Sequence, residues 1–280
     1  MRGPGRLPPE VEIDREAGRR AFGADPGGYD QARPAYPDEV FDALVQRCGL
    51  RPGTATFEIG PGTGLATFPL LDRGARPLVV VEPDERLAAW LRERIARTGA
   101  AVELCATSFE DAVLPEASFD LGVSATAFHW IEPAVGLAKV ARLLRPGGWW
   151  AMWWTVFGDP ERPDPFHDAT VGLLERLATS PSAGVSWRAP YALDVASRVA
   201  DLEAADAFEA IHFDRRVDSL LLDPDRVRAL YATFSSINVL ADAERERLLD
   251  AIAGVAEKQF AGSVERRVTT ATYFARRRER

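Results

Sequence analysis

The stretch Glu58-Ile59-Gly60-Pro61-Gly62-Thr63-Gly64 decides the fold of this chain. The short apolar segment 54–59 before it predicts a strand, and the segment 65–71 after it predicts a short or kinked helix, because it contains Pro69. Glycines at such a strand-to-helix turn allow the backbone to turn sharply and a ligand to approach with no Cβ in the way. The dinucleotide fingerprint G-x-G-x-x-G would need glycine where Leu65 stands, so the spacing here disfavours it.

An acidic residue stands at the end of the next predicted strand. Glu82 follows the apolar run 78–81, roughly 20 residues beyond the glycines, and an acidic side chain at this place in a parallel sheet accepts hydrogen bonds from ribose hydroxyls. The glycine turn and Glu82 together predict a ligand with a free ribose. The adenosine parts of S-adenosylmethionine and of NAD both qualify, and the glycine spacing favours S-adenosylmethionine.

Strands alternate with helices over residues 54–156, which predicts an α/β sheet of mainly parallel strands. Beyond residue 157 the pattern is less regular. We predict one domain over residues 29–280, preceded by a flexible Gly- and Pro-rich segment, 1–28, with a helical insertion at about 157–205 packed over the site as a substrate cap. The predicted strands are 54–59, 78–81, 102–106, 119–124, 149–156, 208–217 and 268–275, and the predicted helices are 38–48, 65–71, 85–97, 133–144, 166–178, 191–204, 225–236 and 242–259.

Composition and charge argue against several classes of function. The 280 residues carry a formal net charge of −8, and binding a nucleic-acid backbone generally needs a concentrated basic surface, so we expect no nucleic-acid partner. No apolar run is long enough to span a bilayer and the first residues show no secretory signal, so we expect no membrane partner and a cytoplasmic protein.

The two cysteines, Cys48 and Cys105, show no metal-ligand spacing and fit a reducing compartment. The oligomeric state stays open.

Further short motifs follow in order along the chain. They are Tyr29-Asp30 with Arg33-Pro34-Ala35-Tyr36-Pro37, Glu82-Pro83-Asp84, Ser108-Phe109-Glu110, Phe119-Asp120, Ser124-Ala125-Thr126-Ala127-Phe128-His129-Trp130 and Leu144-Arg145-Pro146-Gly147-Gly148. With these motifs and the glycine turn, the chain resembles the class I S-adenosylmethionine-dependent methyltransferases over nearly its full length. The similarity is to the small-molecule branch, which includes trans-aconitate methyltransferase-like proteins and proteins with a type 11 methyltransferase domain.

The resemblance implies a Rossmann-like, seven-stranded, mostly parallel sheet with an antiparallel last strand at 268–275 and helices on both faces. It implies that the glycine turn cradles the methionine and ribose parts of S-adenosylmethionine, and that the N-terminal segment around Tyr29 and Arg33 covers the cofactor. Many relatives hold the adenine with an Asp after the third strand; here a backbone amide and Glu110 would share that role. The cofactor-binding residues expected from the resemblance and the motifs are Tyr29, Arg33, Glu58, Gly60, Pro61, Gly62, Thr63, Gly64, Glu82, Pro83, Ser108, Phe109, Glu110, Ser124 and Thr126.

One histidine is a candidate for catalysis. His129 follows the fourth predicted strand, and the carboxyl ends of parallel strands face the ligand crevice. A histidine suits general-base catalysis, but a base is needed only if the methyl acceptor is protonated. The alternative, which we favour, is that His129 lines the pocket. The expected acceptor-binding residues are Trp130, Trp154, His167 and Trp187, and the three histidines form no zinc ligand set, so we expect no metal.

The sequence favours methyl transfer from S-adenosylmethionine to a small-molecule acceptor, and secondary metabolites are among the acceptors considered. One alternative is a protein that binds S-adenosylmethionine and catalyses a non-methylating reaction or acts as a regulatory partner. An NAD-dependent oxidoreductase is disfavoured by Leu65. The sequence leaves open which acceptor atom, oxygen, nitrogen or carbon, is methylated.

Overall fold

A seven-stranded sheet forms the framework of the computed structural model, which describes residues 12–184 and 189–279. The strand order is β3-β2-β1-β4-β5-β7-β6. The strands are β1 (Thr54–Ile59), β2 (Ala75–Val81), β3 (Val102–Cys105), β4 (Phe119–Ala125), β5 (Leu144–Phe157), β6 (Phe208–Leu222) and β7 (Val264–Arg277). Strands β1 to β5 pair in parallel, and β7 pairs antiparallel with both β5 and β6. The predicted sheet, mostly parallel with an antiparallel last strand, is confirmed.

Helices cover both faces of the sheet because successive strand residues point to opposite faces. Leu44 packs with Val123 and Trp153 on one face, whereas Leu137 packs with Trp150 on the other. The helices are α1 (Arg15–Arg19), α2 (Pro26–Ala32), α3 (Asp38–Cys48), α4 (Thr67–Asp72), α5 (Glu85–Thr98), α6 (Pro133–Leu143), α7 (Pro165–Leu174), α8 (Val195–Ala204), α9 (Pro224–Tyr231), α10 (Ser235–Asn238) and α11 (Asp242–Gln259). The predicted two-sided α/β architecture is confirmed.

Helix α4, predicted to be short or kinked because of Pro69, is short and starts later than predicted. The helix begins at Thr67, so Pro69 is its third residue. Backbone N–H groups in the first turn of a helix have no intrahelical partner, so the missing N–H of Pro69 costs no hydrogen bond there.

The chain is folded well before Tyr29, the residue near which the sequence predicts that order begins. Helix α1 is capped by the Asp14 side chain, which accepts hydrogen bonds from the N–H groups of Glu16 and Ala17. The helix packs so closely on Trp130 that a Cβ on Gly18 would overlap its ring. Gly18 therefore serves close packing, and residues 12–28, which the sequence assigns to a flexible segment, include helix α1.

The elements that cover the carboxyl ends of the strands differ from the predicted insertion at 157–205. Helix α8 packs on α6 and β6 as an ordinary helix of the sheet, and Leu202 joins the sheet core. Helix α7 instead packs with α9 and α11 in a separate core around Phe166, Tyr231 and Ile252. The cap is therefore assembled from two stretches of chain, since the helices after β6 return to α7.

Candidate active site

A cavity of about 890 Å³ opens at the carboxyl ends of the parallel strands. This volume lies at the upper end of the range for small-molecule sites, so it has room for two bound molecules side by side. Thirteen predicted site residues line it: Tyr29, Arg33, Gly60, Pro61, Gly62, Thr63, Glu82, Pro83, Phe109, Thr126, His129, Trp130 and Trp154. The sequence motifs after β1, β2 and β4 thus meet in one place.

The glycine turn leaves open space beside its central residue. Gly60 and Gly62 have φ angles of +65° and +57°, a region that only glycine enters without strain. A Cβ on Gly62 would meet no protein atom within 4 Å, whereas one on Gly60 would overlap Ala127. A ligand can therefore approach the backbone at Gly62.

Two buried carboxylates flank this turn. Glu82 is 3% exposed, and its carboxylate accepts hydrogen bonds from the backbone N–H of Gly62 and of Asp84, both at 3.0 Å. Glu58 is fully buried, and its Oε2 accepts a 2.7 Å hydrogen bond from the Thr67 hydroxyl. The Glu58 Oε1 and the Thr63 hydroxyl are buried with no partner among the described residues. Thr63 lines the cavity, so its hydroxyl can be matched by a polar group of a ligand, whereas Glu58 lies behind the turn and outside the cavity lining.

Burial sets the protonation of both carboxyl groups. Desolvation raises the pKa of Glu58 to about 8, the Thr67 hydrogen bond lowers it, and the neighbouring Glu82 raises it further. Desolvation likewise raises the pKa of Glu82 to about 7, against the hydrogen bonds from the Asp84 and Gly62 amides. Near neutral pH Glu58 is therefore mostly protonated and Glu82 is partly ionised, and a bound cationic group would favour the ionised forms of both.

Arg33 brings a positive charge to the cavity within an aromatic cage. Its guanidinium carbon lies 5.2 Å, 5.3 Å and 5.2 Å from the ring centres of Tyr29, Phe157 and Phe234. It donates hydrogen bonds to the hydroxyl and the carbonyl of Thr233. Within the described residues no carboxylate pairs with Arg33, so its charge is available to an anionic group of a ligand.

The loop after β3 is fixed by two basic side chains. Lys139, buried on α6, donates hydrogen bonds to the carbonyls of Phe109, Glu110 and Ala112 at 2.6, 3.1 and 2.5 Å. Arg19 of α1 forms a bidentate ion pair with Glu110. Phe109 lines the cavity, but Glu110 is engaged by the N-terminal helix and does not. Glu110 therefore joins two elements here, in place of the expected contact with a ligand.

His129 and Trp154 form a buried pair at the other side of the cavity. The indole Nε1 of Trp154 donates a 3.0 Å hydrogen bond to Nδ1 of His129. Burial lowers the pKa of His129 to about 3, and the positive charges of Arg15 and Arg33 lower it as well. His129 is thus a neutral imidazole at physiological pH.

Backbone strain is stored next to the cavity at the end of β4. Thr126 has φ +55°, an unfavourable value for a residue with a branched Cβ. Its hydroxyl accepts a 3.0 Å hydrogen bond from the buried phenol of Tyr36, and its N–H donates to the Trp153 carbonyl. These contacts hold Thr126 in place as a wall of the cavity.

Several predicted site residues lie away from the cavity lining. Ser108 bonds Asp111 within its own loop, and Ser124 donates from β4 to the Ile59 carbonyl. A Cβ on Gly64 would overlap Phe68, so Gly64 serves helix packing. His167 lies on α7 outside the lining, and Trp187 falls outside the described residues.

The structure adds cavity residues that the sequence does not single out. They are Arg19, Phe22, Leu65, Leu174, Leu177, Thr179, Ser180, Phe234, Ser235 and Ser236. Most belong to α1 or to the cap, where local sequence gives no sign of which residues face the sheet. In the described residues, no group of acidic, histidine or cysteine side chains could hold a metal ion, and no helix is long and apolar enough to cross a membrane.

Comparison with known sequences identifies the central part of the chain. Residues 57–152, from β1 to β5, match the family described as methyltransferase domain. The predicted resemblance to class I methyltransferases is confirmed, and the glycine turn and Glu82 both lie within the matched segment.

Three relatives illustrate the similarity. An uncharacterized methyltransferase of Mycobacterium tuberculosis is 36% identical over 136 residues, which are 49% of this chain and 52% of the relative, so the match spans about half the length of that protein. A dimethyladenosine transferase of Candida glabrata is 35% identical over 98 residues, 34% of this chain and 30% of the relative. The Haemonchus contortus phosphoethanolamine N-methyltransferase 2, solved with phosphomonomethylethanolamine and S-adenosylhomocysteine, has a TM-score of 0.59 at 12% identity, covering 96% of this chain and 61% of that one. The last likeness shows the fold alone.

Proposed function

We propose that this chain binds S-adenosylmethionine on the glycine turn and transfers its methyl group to a small molecule held under the cap. The observation that carries the proposal is the pair of buried carboxylates, Glu58 and Glu82, on either side of a glycine turn with open space at Gly62. When bound, S-adenosylmethionine supplies an electrophilic methyl group on a positively charged sulfur.

The charges around the turn favour this cofactor over NAD. The partly ionised Glu82 disfavours a nearby pyrophosphate, whereas the positive charge and the ribose hydroxyls of S-adenosylmethionine favour its ionised form. The N–H of Gly62 already donates to Glu82 and is not free for a phosphate oxygen. Arg33 offers the single positive charge that an amino-acid carboxylate needs, and Phe109 offers an apolar surface to the adenine.

The cap supports a small acceptor. Leu174, Leu177 and Phe234 enclose the cavity on the side away from the glycine turn, and the hydroxyls of Thr179 and Ser235 add polar groups. Apolar walls exclude water from part of the cavity and help to align the acceptor, and alignment alone supplies much of the acceleration of a displacement reaction. The regions before β1 and after β5, which carry the cap, lie outside the matched methyltransferase domain.

Calorimetry with S-adenosylmethionine, S-adenosylhomocysteine and NAD tests the cofactor. We expect both sulfur ligands to bind and NAD not to bind, because Glu82 is partly ionised and already engages the Gly62 N–H that a pyrophosphate would need. Glu82→Ala should weaken S-adenosylhomocysteine binding by about 2–4 kcal/mol, since ribose hydroxyls lose a charged acceptor. Glu103→Ala, on the exposed face of β3, is the matched control. Tight NAD binding with no response to S-adenosylhomocysteine would contradict the proposal.

A second experiment separates methyl transfer from cofactor binding alone. The protein is incubated with methyl-labelled S-adenosylmethionine and a metabolite extract, and the small-molecule and macromolecular fractions are counted. Label in the small-molecule fraction is the expected result. Cofactor binding with no labelled product in any fraction would favour the alternative of a regulatory or non-methylating protein.

A further inference from the structure

His129 lines the cavity in which the proposed reaction takes place, and its ring is hydrogen-bonded at one nitrogen. It lies in a 3₁₀ turn directly after β4, it is 4% exposed, and it lines the cavity together with Trp130 and Trp154. Its ring centre is 4.9 Å from that of Trp130 and 6.2 Å from that of Tyr191. The ring is therefore fixed by contacts and has one polar bond, that with Trp154.

The partner of His129 decides which of its nitrogens carries the proton. An indole Nε1–H is a donor only, so the imidazole nitrogen that faces Trp154 must be an unprotonated acceptor. That nitrogen is Nδ1, at 3.0 Å. A neutral imidazole with an unprotonated Nδ1 carries its proton on Nε2, and among the described residues Nε2 has no hydrogen-bond partner.

We propose that Trp154 is a positioning residue that holds His129 as an Nε2–H hydrogen-bond donor towards bound acceptor, so that His129 does not serve as a general base. A base would need an available lone pair on the nitrogen that faces the acceptor. In this arrangement Nε2 carries the proton, and the lone pair of Nδ1 accepts the hydrogen bond from Trp154. This arrangement defines the class of acceptor. The acceptor molecule reaches the site with its nucleophilic atom already unprotonated, and it carries an oxygen or nitrogen that accepts a hydrogen bond from Nε2–H. This inference rests on the proposed methyl transfer.

The groups around His129 reinforce the neutral form. Arg15 of α1 and Arg33 beyond α2 both act on the imidazole with positive charge, and Arg15 is only loosely paired with Glu132 at 3.7 Å. Tyr191 presents a phenol whose pKa burial raises to about 12, so it brings no negative charge. The charged groups that act on the His129 imidazole are therefore these two arginines, and both favour its neutral form.

Nitrogen-15 NMR of the full chain reads the protonation state directly. Histidine is labelled with nitrogen-15, and long-range proton–nitrogen correlation spectra are recorded between pH 8 and pH 5 without ligands. The chain has three histidines, so His167→Gln and His212→Gln assign the remaining ring to His129. We expect one protonated nitrogen, Nε2, and one unprotonated nitrogen, Nδ1, with no titration across this range, whereas an unperturbed histidine titrates near pH 6.5.

Trp154→Phe tests the positioning role. Loss of the indole N–H should mix the two tautomers of His129, and Trp150→Phe, which removes a tryptophan from the same face of β5, should leave the spectrum of His129 unchanged. If Trp154→Phe does not fold, His129→Leu tests the same bond, because the indole proton of Trp154 should then move upfield.

Three results would overturn the inference: a proton on Nδ1 in the wild type, titration of His129 near pH 6.5, or an unchanged tautomer in Trp154→Phe. Calorimetry with S-adenosylhomocysteine on the same samples separates this from the proposed function. If S-adenosylhomocysteine does not bind, the proposed function is contradicted. The spectrum of the unliganded protein would still test the hydrogen bond between Trp154 and His129.

Discussion

Gly62 faces the cavity with a backbone conformation that suits glycine alone. Its φ angle is +57°, and a Cβ there would stand in open cavity space with no protein atom within 4 Å. Gly62→Ala should therefore fold but place a methyl group where the cofactor lies, and S-adenosylhomocysteine affinity should fall at least about tenfold, the equivalent of roughly 1.4 kcal/mol. Gly99→Ala is the matched control, since Gly99 has φ +66°, equally open surroundings and a place at the end of α5 away from the cavity. Equal loss of affinity in both variants would show that the ligand lies elsewhere.

Glu82 makes cofactor binding depend on pH. Its pKa is raised to about 7 by burial, so at pH 6 most of the carboxyl groups in the empty protein carry a proton. Only the ionised form accepts hydrogen bonds from both ribose hydroxyls at full strength, so the affinity for S-adenosylhomocysteine should rise from pH 6 to pH 8 and then level off.

Calorimetry at several pH values, in buffers of different ionisation enthalpy, measures this rise together with the protons released. In Glu82→Gln the affinity should be lower, and its dependence on pH should be flatter, with the remainder due to Glu58. A wild-type affinity that is constant between pH 6 and pH 8 would contradict the role given to Glu82.

At the scale of elements, helix α6 holds the loop after β3 through one lysine. Lys139 donates to three backbone carbonyls of this loop, and Phe109 of the same loop lines the cavity. Lys139→Met keeps the stem of the side chain and removes the three bonds, so the loop should become mobile and S-adenosylhomocysteine affinity should fall about three- to tenfold, or roughly 1 kcal/mol. Lys258→Met, at the exposed end of α11, is the matched control.

Hydrogen exchange identifies the cause of that loss. The amides of residues 109–112 should exchange faster in Lys139→Met, while those of the glycine turn keep their protection. If the loop amides exchange as in the wild type, Lys139 does not position the loop.

Local motifs explain which elements could be predicted from sequence. Asp84 caps α5 through its side chain, and the apolar runs of β1, β2 and β4 are buried on both faces, so residue pattern alone predicts them. Helix α1 could not be predicted in this way. It is stabilised by contacts of Gly18 and Arg19 with Trp130 and Glu110, about a hundred residues away, and its own sequence is polar and short.

The same distinction between local pattern and distant packing applies to the residues of the candidate site. The residues after β1, β2 and β4 were found because each follows a strand that the pattern predicts, and strand ends meet at one edge of a parallel sheet. The sequence predicts only part of the cap: Leu174, Leu177 and Thr179 lie in the predicted stretch 157–205, whereas Phe234 and Ser235 belong to the helices after β6, which the packing of α7 on α11 brings over the cavity. Ser124 stands in a motif, but its hydroxyl donates to the Ile59 carbonyl, so the motif alone does not show which of its side chains face the cavity.

At the scale of the whole molecule, charge argues for a small acceptor over RNA. The chain carries a net charge of −8, and many of its arginines are paired, as in the cluster of Arg215 with Asp159 and Glu161. Binding of RNA draws most of its affinity from unpaired basic groups and therefore weakens steeply with salt. Enzymes that modify a base in RNA or DNA draw it into a pocket on a basic surface, and here Leu174 and Phe234 of the cap line the cavity with apolar groups.

We therefore expect no methyl transfer to ribosomal RNA, although a dimethyladenosine transferase matches a third of the chain. The test incubates the protein with methyl-labelled S-adenosylmethionine and either unmodified ribosomal RNA or a protein- and RNA-free metabolite extract, at 50 and 200 mM salt. Label should appear only with the extract, and changing the salt should change the yield less than about threefold, because few ion pairs form with a small acceptor.

RNA that is labelled at low salt but not at high salt would contradict this expectation and would assign the acceptor site to a nucleic acid. Such binding would require a basic surface that the paired arginines do not provide. Glu82→Ala run in parallel shows that any label depends on the cavity, since a contaminating methyltransferase would be indifferent to that substitution.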